Sequence, residues 1–241
     1  MEQNTVKKEP LGKNFYVNVS HNHTFGTDAI LLSNFASSTR KDRAVDLGTG
    51  CGIIPLIMLR DGLLESAVGV DISSEATLLA EQTKNELGLE NFTVINSDLN
   101  DLKGKIEFGH HTLITCNPPY KEITGGTVSD NKHLAIARNE VLCNLKDVCQ
   151  CASRNLKFGG LFFMVHRPER LCDIFACMRE SGIEPKRIRT VHSYADKGPV
   201  LVLVEGKKGG NPKLIYENPL VIYNENGDYT DEINNIYGRN A

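Results

Sequence analysis

Through the middle of the chain, apolar positions alternate between short strand-like runs and stretches with helical spacing. "RAVDLGTG" is an apolar run ending in a glycine-rich turn; "GIIPLIMLRDG" follows at helical intervals and closes on glycine. "SAVGVDIS" reads as the next strand. "SSEATLLAEQTKNELGL" opens with serines and Glu75, signals of a helix N-terminus, and stops at Gly88. The beat continues through "FTVINSDL", "HTLITCNPPY", the long helical stretch "HLAIARNEVLCNLKDVCQCASRNL", "LFFMVH" and "RLCDIFACMRES". Strand and helix in alternation predict βαβ units around a mostly parallel sheet. The last two β-rich runs, "RIRTVHSY" and "PVLVLVEG", are joined by only "ADKG", too short for a crossover, so they predict an antiparallel pair.

The ends are less regular. Residues from about 1 to 38 precede the first core strand, and residues from about 206 to 241 are polar with scattered Tyr and Ile. Both are expected to wrap one domain, whose core runs from about 39 to 205, with the N-terminal segment capping a site.

Composition narrows the class. Hydrophobic residues at 40% and charged residues at 24% suit one α/β domain of 241 residues with a sizeable core. The net charge of −3 excludes a global basic footprint, so any nucleic-acid contact must use a local patch. No run approaches the roughly 18 apolar residues of a membrane span, and no signal-peptide pattern opens the chain. The seven cysteines form no C-x-x-C pair, which speaks for reduced thiols in a cytoplasmic protein without a metal site. "HNH" at residues 21–23 has no companion cluster of ligands and abuts the capping segment, so it too implies no metal.

Chemistry concentrates at strand ends. "VDLGTGCG" sets Gly48, Gly50 and Gly52 between a strand and a helix, where backbone N–H groups and a helix N-terminus can face a nucleotide-like ligand. The spacing is G-x-G-x-G rather than the dinucleotide fingerprint G-x-G-x-x-G. Asp71 ends the next strand, 21 residues beyond Gly50, placed either to accept from ribose hydroxyls or to cap the helix that follows. Asp98 has the matching position on the third strand, for an adenine amino group or for a turn. Asp46, just before the glycines, can pair with an ammonium group.

In this order and spacing, "VDLGTGCG", "GVDIS", "NSDL" and "NPPY" resemble the class I S-adenosylmethionine-dependent methyltransferases. The resemblance implies a Rossmann-like α/β fold: a seven-stranded, mostly parallel sheet with an antiparallel last strand and helices on both faces. It also implies that Gly48, Gly50 and Gly52 take the methionine end of S-adenosylmethionine. Asp71 with Ile72 would take the ribose, and Asp98 with Leu99 the adenine.

"NPPY" then acquires a purpose. The lone pair of an exocyclic amine is delocalised into its ring, and two acceptors holding its N–H bonds would localise that pair toward a methyl donor. The Asn117 side-chain oxygen and the Pro118 carbonyl can be those acceptors, stiffened by Pro118 and Pro119, while Tyr120 offers a face for the base. The motif fixes the acceptor chemistry but not the substrate: adenine in tRNA, an rRNA or DNA base, or a protein glutamine would all suit it. A non-catalytic RNA adaptor is a further alternative, and the intact motif speaks against it.

"FGTDAILLSNFA", "HLAIARNEV", "VHRPERLCDI" and "EPKRIRTVHS" are similar to segments of the bacterial tRNA (adenine-N6)-methyltransferases that modify the adenosine 3′ of the anticodon of a valine tRNA. That resemblance, over roughly residues 14 to 205, implies tRNA as the partner and N6 of adenosine as the acceptor. It places Thr27 and Asp28 over the cofactor, and the chain is expected to act as a monomer. Arg138, His166, Arg167 and Arg170 are the candidate RNA contacts, with Lys186, Arg187 and Arg189 as a second basic cluster readable equally as surface ion pairs. The Gly-rich stretch "KEITGGTVSDNK" reads as a loop that could close over the site.

Overall fold

The computed structural model describes residues 5–12, 14–36, 42–119 and 145–238. Tyr120, Arg138, the glycine-rich stretch after the clamp and the first half of the expected long helix lie outside them. The elements are β1 (Lys7–Gly12), β2 (Phe15–Val19), α1 (Thr27–Phe35), β3 (Asp42–Leu47), α2 (Ile53–Arg60), β4 (Leu64–Asp71), α3 (Ser74–Leu87), β5 (Phe92–Asn96) and β6 (His111–Cys116). There follow α4 (Leu145–Asn155), β7 (Leu156–His166), α5 (Leu171–Glu180), β8 (Ile183–His192), β9 (Pro199–Lys208), β10 (Ile215–Tyr216), β11 (Leu220–Val221) and α6 (Asp231–Ile236).

The main sheet runs β10-β8-β9-β7-β6-β3-β4-β5, with β11 also on β8. Its seven long strands match the expected sheet: β9, the last of them, is antiparallel to both neighbours. The chain fills the sheet outward from β3 through β4 to β5, then restarts at β6 on the other side of β3. The strand order therefore reverses between β3 and β6, the point where open α/β sheets bind ligands.

Period-two alternation builds both cores. On β7, Leu161, Phe163 and Val165 face the layer of α1, α2 and α3, while Phe162 and Met164 face that of α4 and α5. Helix boundaries follow local chemistry. Ser73 caps α3 by accepting from the Ala76 N–H (3.3 Å), and Gly88 closes it at φ 65°.

The ends differ from the reading of the sequence. The N-terminal segment begins with a separate β1–β2 hairpin, and the tail adds β10 and β11 to the β8 edge before ending in α6. Covering an edge strand in this way satisfies backbone groups that would otherwise stay open. Two-residue strands carry no readable periodicity, which is why the sequence did not show them.

Candidate active site

Strand register aligns the candidate residues along one edge. Asp71 pairs with Asn96, Leu47 with Val70, and Leu47 with Cys116. Consequently the residues that leave these strands, near Asp98, Asp71, Gly48 and Asn117, follow one another at strand spacings of about 4.8 Å. The glycine turn and the clamp are immediate neighbours across the reversal point.

The turn is tightly constrained. Gly48, Gly50 and Gly52 all have left-handed φ (75°, 56° and 85°), so each position favours glycine. The backbone N–H groups of Gly48 and Thr49 both donate to the Val70 carbonyl at 2.9 Å. A Cβ on Gly48 or Gly50 would meet nothing within 4 Å, whereas one on Gly52 would press on Ala80 and Phe92 at 3.3 Å. The first two glycines thus border open space, and the third packs the turn onto α3 and β5. Gly69, absent from the sequence reading, has a related duty: a Cβ there would lie 2.9 Å from the Thr49 side chain.

The three acids differ. Asp71 accepts from the Gly50 N–H (2.8 Å) through one oxygen and from the Ser73 N–H (2.8 Å) through the other. It ties the glycine turn to the start of α3, and burial raises its pKa against the pull of those two donors. Each carboxylate oxygen keeps a lone pair for a ligand hydroxyl. Asp98 accepts from the Asn100 N–H (2.7 Å), closing its own turn. Asp46 is only 2% exposed, and its Oδ1 accepts from the Thr115 hydroxyl at 2.6 Å. Its Oδ2 has no hydrogen-bond partner among the described residues, and neither has the nearby Thr49 hydroxyl. Burial pushes the Asp46 carboxyl up to about 6; the Thr115 hydrogen bond pulls it down, the Thr49 hydroxyl, too poorly placed for a hydrogen bond, does so only as a nearby dipole, and the Asp71 charge adds to the rise. A buried carboxylate oxygen left without a donor fits a cationic ligand group.

Apolar surface completes the edge. Ile72, directly after Asp71, is 41% exposed, while Leu99 is half-buried against the α4–α5 core. The Asn96 amide donates to the carbonyls of Asp71 and Ile72 at 3.0 Å each and fixes that corner. The glycine turn, the acid with an orphaned oxygen, the acid ending β4 and the exposed apolar side chain beside it line one edge that suits a nucleoside carrying an ammonium group.

His23 is the residue the sequence reading missed. It is 7% exposed, its Nε2 donates to Glu75 Oε2 (3.2 Å) and lies 3.4 Å from the Ser73 hydroxyl, and its charge would favour ionised Asp71. The second His of "HNH" therefore pins the N-terminal segment onto the first turn of α3. Only the partners, 50 and 52 residues away, reveal this. Thr27 and Asp28 open α1; Asp28 accepts from the Ala29 N–H (2.9 Å), and Thr27 accepts from the Tyr237 hydroxyl (3.0 Å).

The clamp begins where β6 ends, with Asn117 and Pro119 half-buried and Pro118 buried. Of the RNA candidates, His166 ends β7 but is 1% exposed, and its Nδ1 accepts from the Arg167 N–H (2.8 Å). It thus turns inward and does not present itself to a phosphate, a correction that follows from the position of β7 between β6 and β9. Arg167 is exposed and donates to the Val200 carbonyl (3.2 Å); Arg170 pairs with Asp173 (2.8 Å).

Residues 19–173 match the model of the methyltransferase small domain, and the chain belongs to that family. A tRNA1(Val) (adenine(37)-N6)-methyltransferase of Parabacteroides distasonis is 29% identical over 183 residues, 75% of each chain. The protein of the same name from Histophilus somni is 25% identical over 95% of each. Among solved structures, "a predicted O-methyltransferase" of Agrobacterium tumefaciens superposes with a TM-score of 0.71 at 21% identity, covering 89% of this chain and 97% of that one. A Thermus thermophilus 16S rRNA N2 G1207 methyltransferase, solved with AdoMet and guanosine, gives 0.57 at 18% identity, covering 85% of this chain and 50% of its own.

Proposed function

We propose that this protein methylates N6 of an adenosine in tRNA with S-adenosylmethionine as donor, the target being the adenosine 3′ of the anticodon, position 37, of a valine tRNA. The relatives bearing that name, matched over 75% to 95% of their lengths, support the substrate. The observation that carries the chemistry is the register of Leu47 with Cys116, which sets Gly48 beside Asn117. The reading places the protein in the cytoplasm as a monomeric one-domain enzyme; among the described residues no helix is long and apolar enough to cross a membrane.

When bound, S-adenosylmethionine supplies an electrophilic methyl group on a good leaving group. Gly48 and Gly50 leave room for its methionine end, and Asp46 pairs with the ammonium. Asp71 accepts from the ribose, with Ile72 against the nucleoside; Asp98 accepts from the adenine amine, with Leu99 beside it. Thr27 and Asp28 cap this site from α1. Across the edge, the Asn117 oxygen and the Pro118 carbonyl accept the two N–H bonds of the target amine. Positioning and dipoles then carry catalysis, because neither acceptor is a strong base. Tyr120 stacks the target base, and Arg138, Arg167 and Arg170 hold flanking phosphates.

The test is methyl transfer from labelled S-adenosylmethionine to bulk tRNA lacking this activity, followed by nucleoside analysis. N6-methyladenosine is the expected product. N2-methylguanosine instead would keep the clamp and change the base, and cofactor binding without any labelled tRNA would sink the RNA reading.

A further inference from the structure

Four aromatic rings form a column, three from the tail and Tyr194 from the link between β8 and β9. Tyr194 lies against Tyr223 (centroids 5.5 Å apart, planes at 35°), Tyr223 stacks on Tyr229 (5.4 Å, 12°) and Tyr229 on Tyr237 (5.7 Å, 16°). The inner end is anchored, since the Tyr237 hydroxyl donates to Thr27 at the start of α1. The tail is also fastened to the β8–β9 loop: the Tyr223 N–H donates to the Ser193 carbonyl (2.9 Å), and Tyr223 bridges to Tyr229. Tyr223 and Tyr229 each have rings on both sides, so the column ends at Tyr194, which is 38% exposed.

The column stands on the edge that holds the clamp. Because β9 is antiparallel to β7 and to β8, those two strands end on the same side, and Tyr194 leaves β8 where Arg167 leaves β7. From β6 to β8 there are three strand spacings, about 14 Å. At a stacked rise of roughly 3.4 Å, that is on the order of four nucleotides. Arg167 bridges the interval, its guanidinium held on the Val200 carbonyl at the start of β9.

We propose that Tyr194 is a nucleobase platform: an unpaired base flanking the target adenosine stacks on the end of the column and extends it. This rests on the tRNA reading above and adds a recognition site to it. Stacking rather than charge fits the surroundings. Lys197 beside it is paired with Asp196 (3.2 Å), and the turn between Tyr223 and Tyr229 holds Glu225 and Asp228, which do not attract phosphate. An aromatic face accepts any base, and loop RNA offers unstacked ones.

Steady-state methyl transfer to tRNA by wild type, Tyr194→Ala and Tyr194→Phe tests the assignment. Tyr194→Ala is expected to raise the KM for tRNA roughly tenfold, while Tyr194→Phe, which keeps the ring, stays within about twofold of wild type. The KM for S-adenosylmethionine, the melting temperature and the salt dependence of tRNA affinity stay put in both. An unchanged tRNA KM in Tyr194→Ala overturns the platform, as does a Tyr194→Phe variant equally impaired, and either leaves the tRNA reading standing. If wild type labels no tRNA at all, that reading falls and the platform falls with it.

Discussion

The two sides of the sheet treat charge drawn wholly or partly out of water in opposite ways. Near the reversal point, Asp46 is buried with one oxygen unpartnered among the described residues. On the β8 side, Arg187 donates to Glu205 (2.7 Å), Glu217 (2.8 Å) and the Phe35 carbonyl (3.0 Å), and its guanidinium lies 4.1 Å from the Phe35 ring centroid. Arg189 likewise pairs with Glu232 and donates to the Asn218 carbonyl. Both arginines came from a basic cluster that sequence alone left open between RNA contact and ion pairing. A charge whose partners are supplied by the fold holds the fold; a buried charge left short of one marks where a ligand completes the structure.

The largest effect tests the edge where the two ligands meet. Asn117→Ala should lower kcat by about 10² to 10³, the scale of losing one positioned polar group in a transition state. S-adenosylmethionine affinity should change far less, measured by calorimetry on the same preparation. Full turnover in this variant would remove the clamp from the mechanism.

Asp46→Asn comes next and separates ligand from fold. Loss of the anionic partner should weaken S-adenosylmethionine roughly 30-fold, about 2 kcal/mol. The same change should stabilise the ligand-free protein. The native pKa of about 6 lies above the ordinary aspartate value of 3.8, so the folded state binds more protons than the unfolded one in that interval. Stability therefore falls as pH rises from about 4 to 6, by up to roughly 3 kcal/mol, and stays low above that. Asn carries no such cost and can still accept from Thr115. Melting temperatures should thus favour Asp46→Asn at pH 7.5 and converge near pH 4. In wild type, S-adenosylmethionine affinity should drop as pH falls below 6, because Asp46 is then neutral. A variant less stable than wild type at pH 7.5 would contradict the idea of a charge held ready for a ligand.

Arg187→Ala probes the opposite side. Leaving Glu205 and Glu217 without their shared partner should cost about 2 kcal/mol of stability, read from denaturant midpoints. The KM for tRNA should not move. A raised KM with unchanged stability would return Arg187 to the RNA surface.

What the sequence made legible follows the same division. The positions of the glycine turn, Asp71, Asp98 and Asn117 at or just beyond strand ends were readable because each is written locally, as a strand running into Gly, Asp or Pro. The seven-stranded sheet was readable from alternation and from the short "ADKG" link. His23, the tyrosine column and the pairing of Arg187 were not, because their meaning lies in partners far along the chain: Glu75 for His23, Thr27 for Tyr237, Phe35 for Arg187. His166 misled for a related reason. Its place at the end of a strand was read correctly, but the sequence could not show that both neighbouring strands enclose it.

Arg167 sits on the boundary between the two behaviours. It is exposed, it has a protein partner in the Val200 carbonyl, and it leaves β7 between the clamp and the tyrosine column. The bond to the Val200 carbonyl fixes its position at the strand end, where the tRNA reading puts a phosphate. Arg167→Ala should therefore raise the KM for tRNA only about three- to fivefold, with stability unchanged. The slope of log affinity against log salt should fall by about one phosphate contact. Tyr194→Ala should leave that slope intact, so the pair separates charge from stacking along one edge. If Arg167→Ala changed melting but not the slope, Arg167 would belong with Arg187 among the charges that serve the fold.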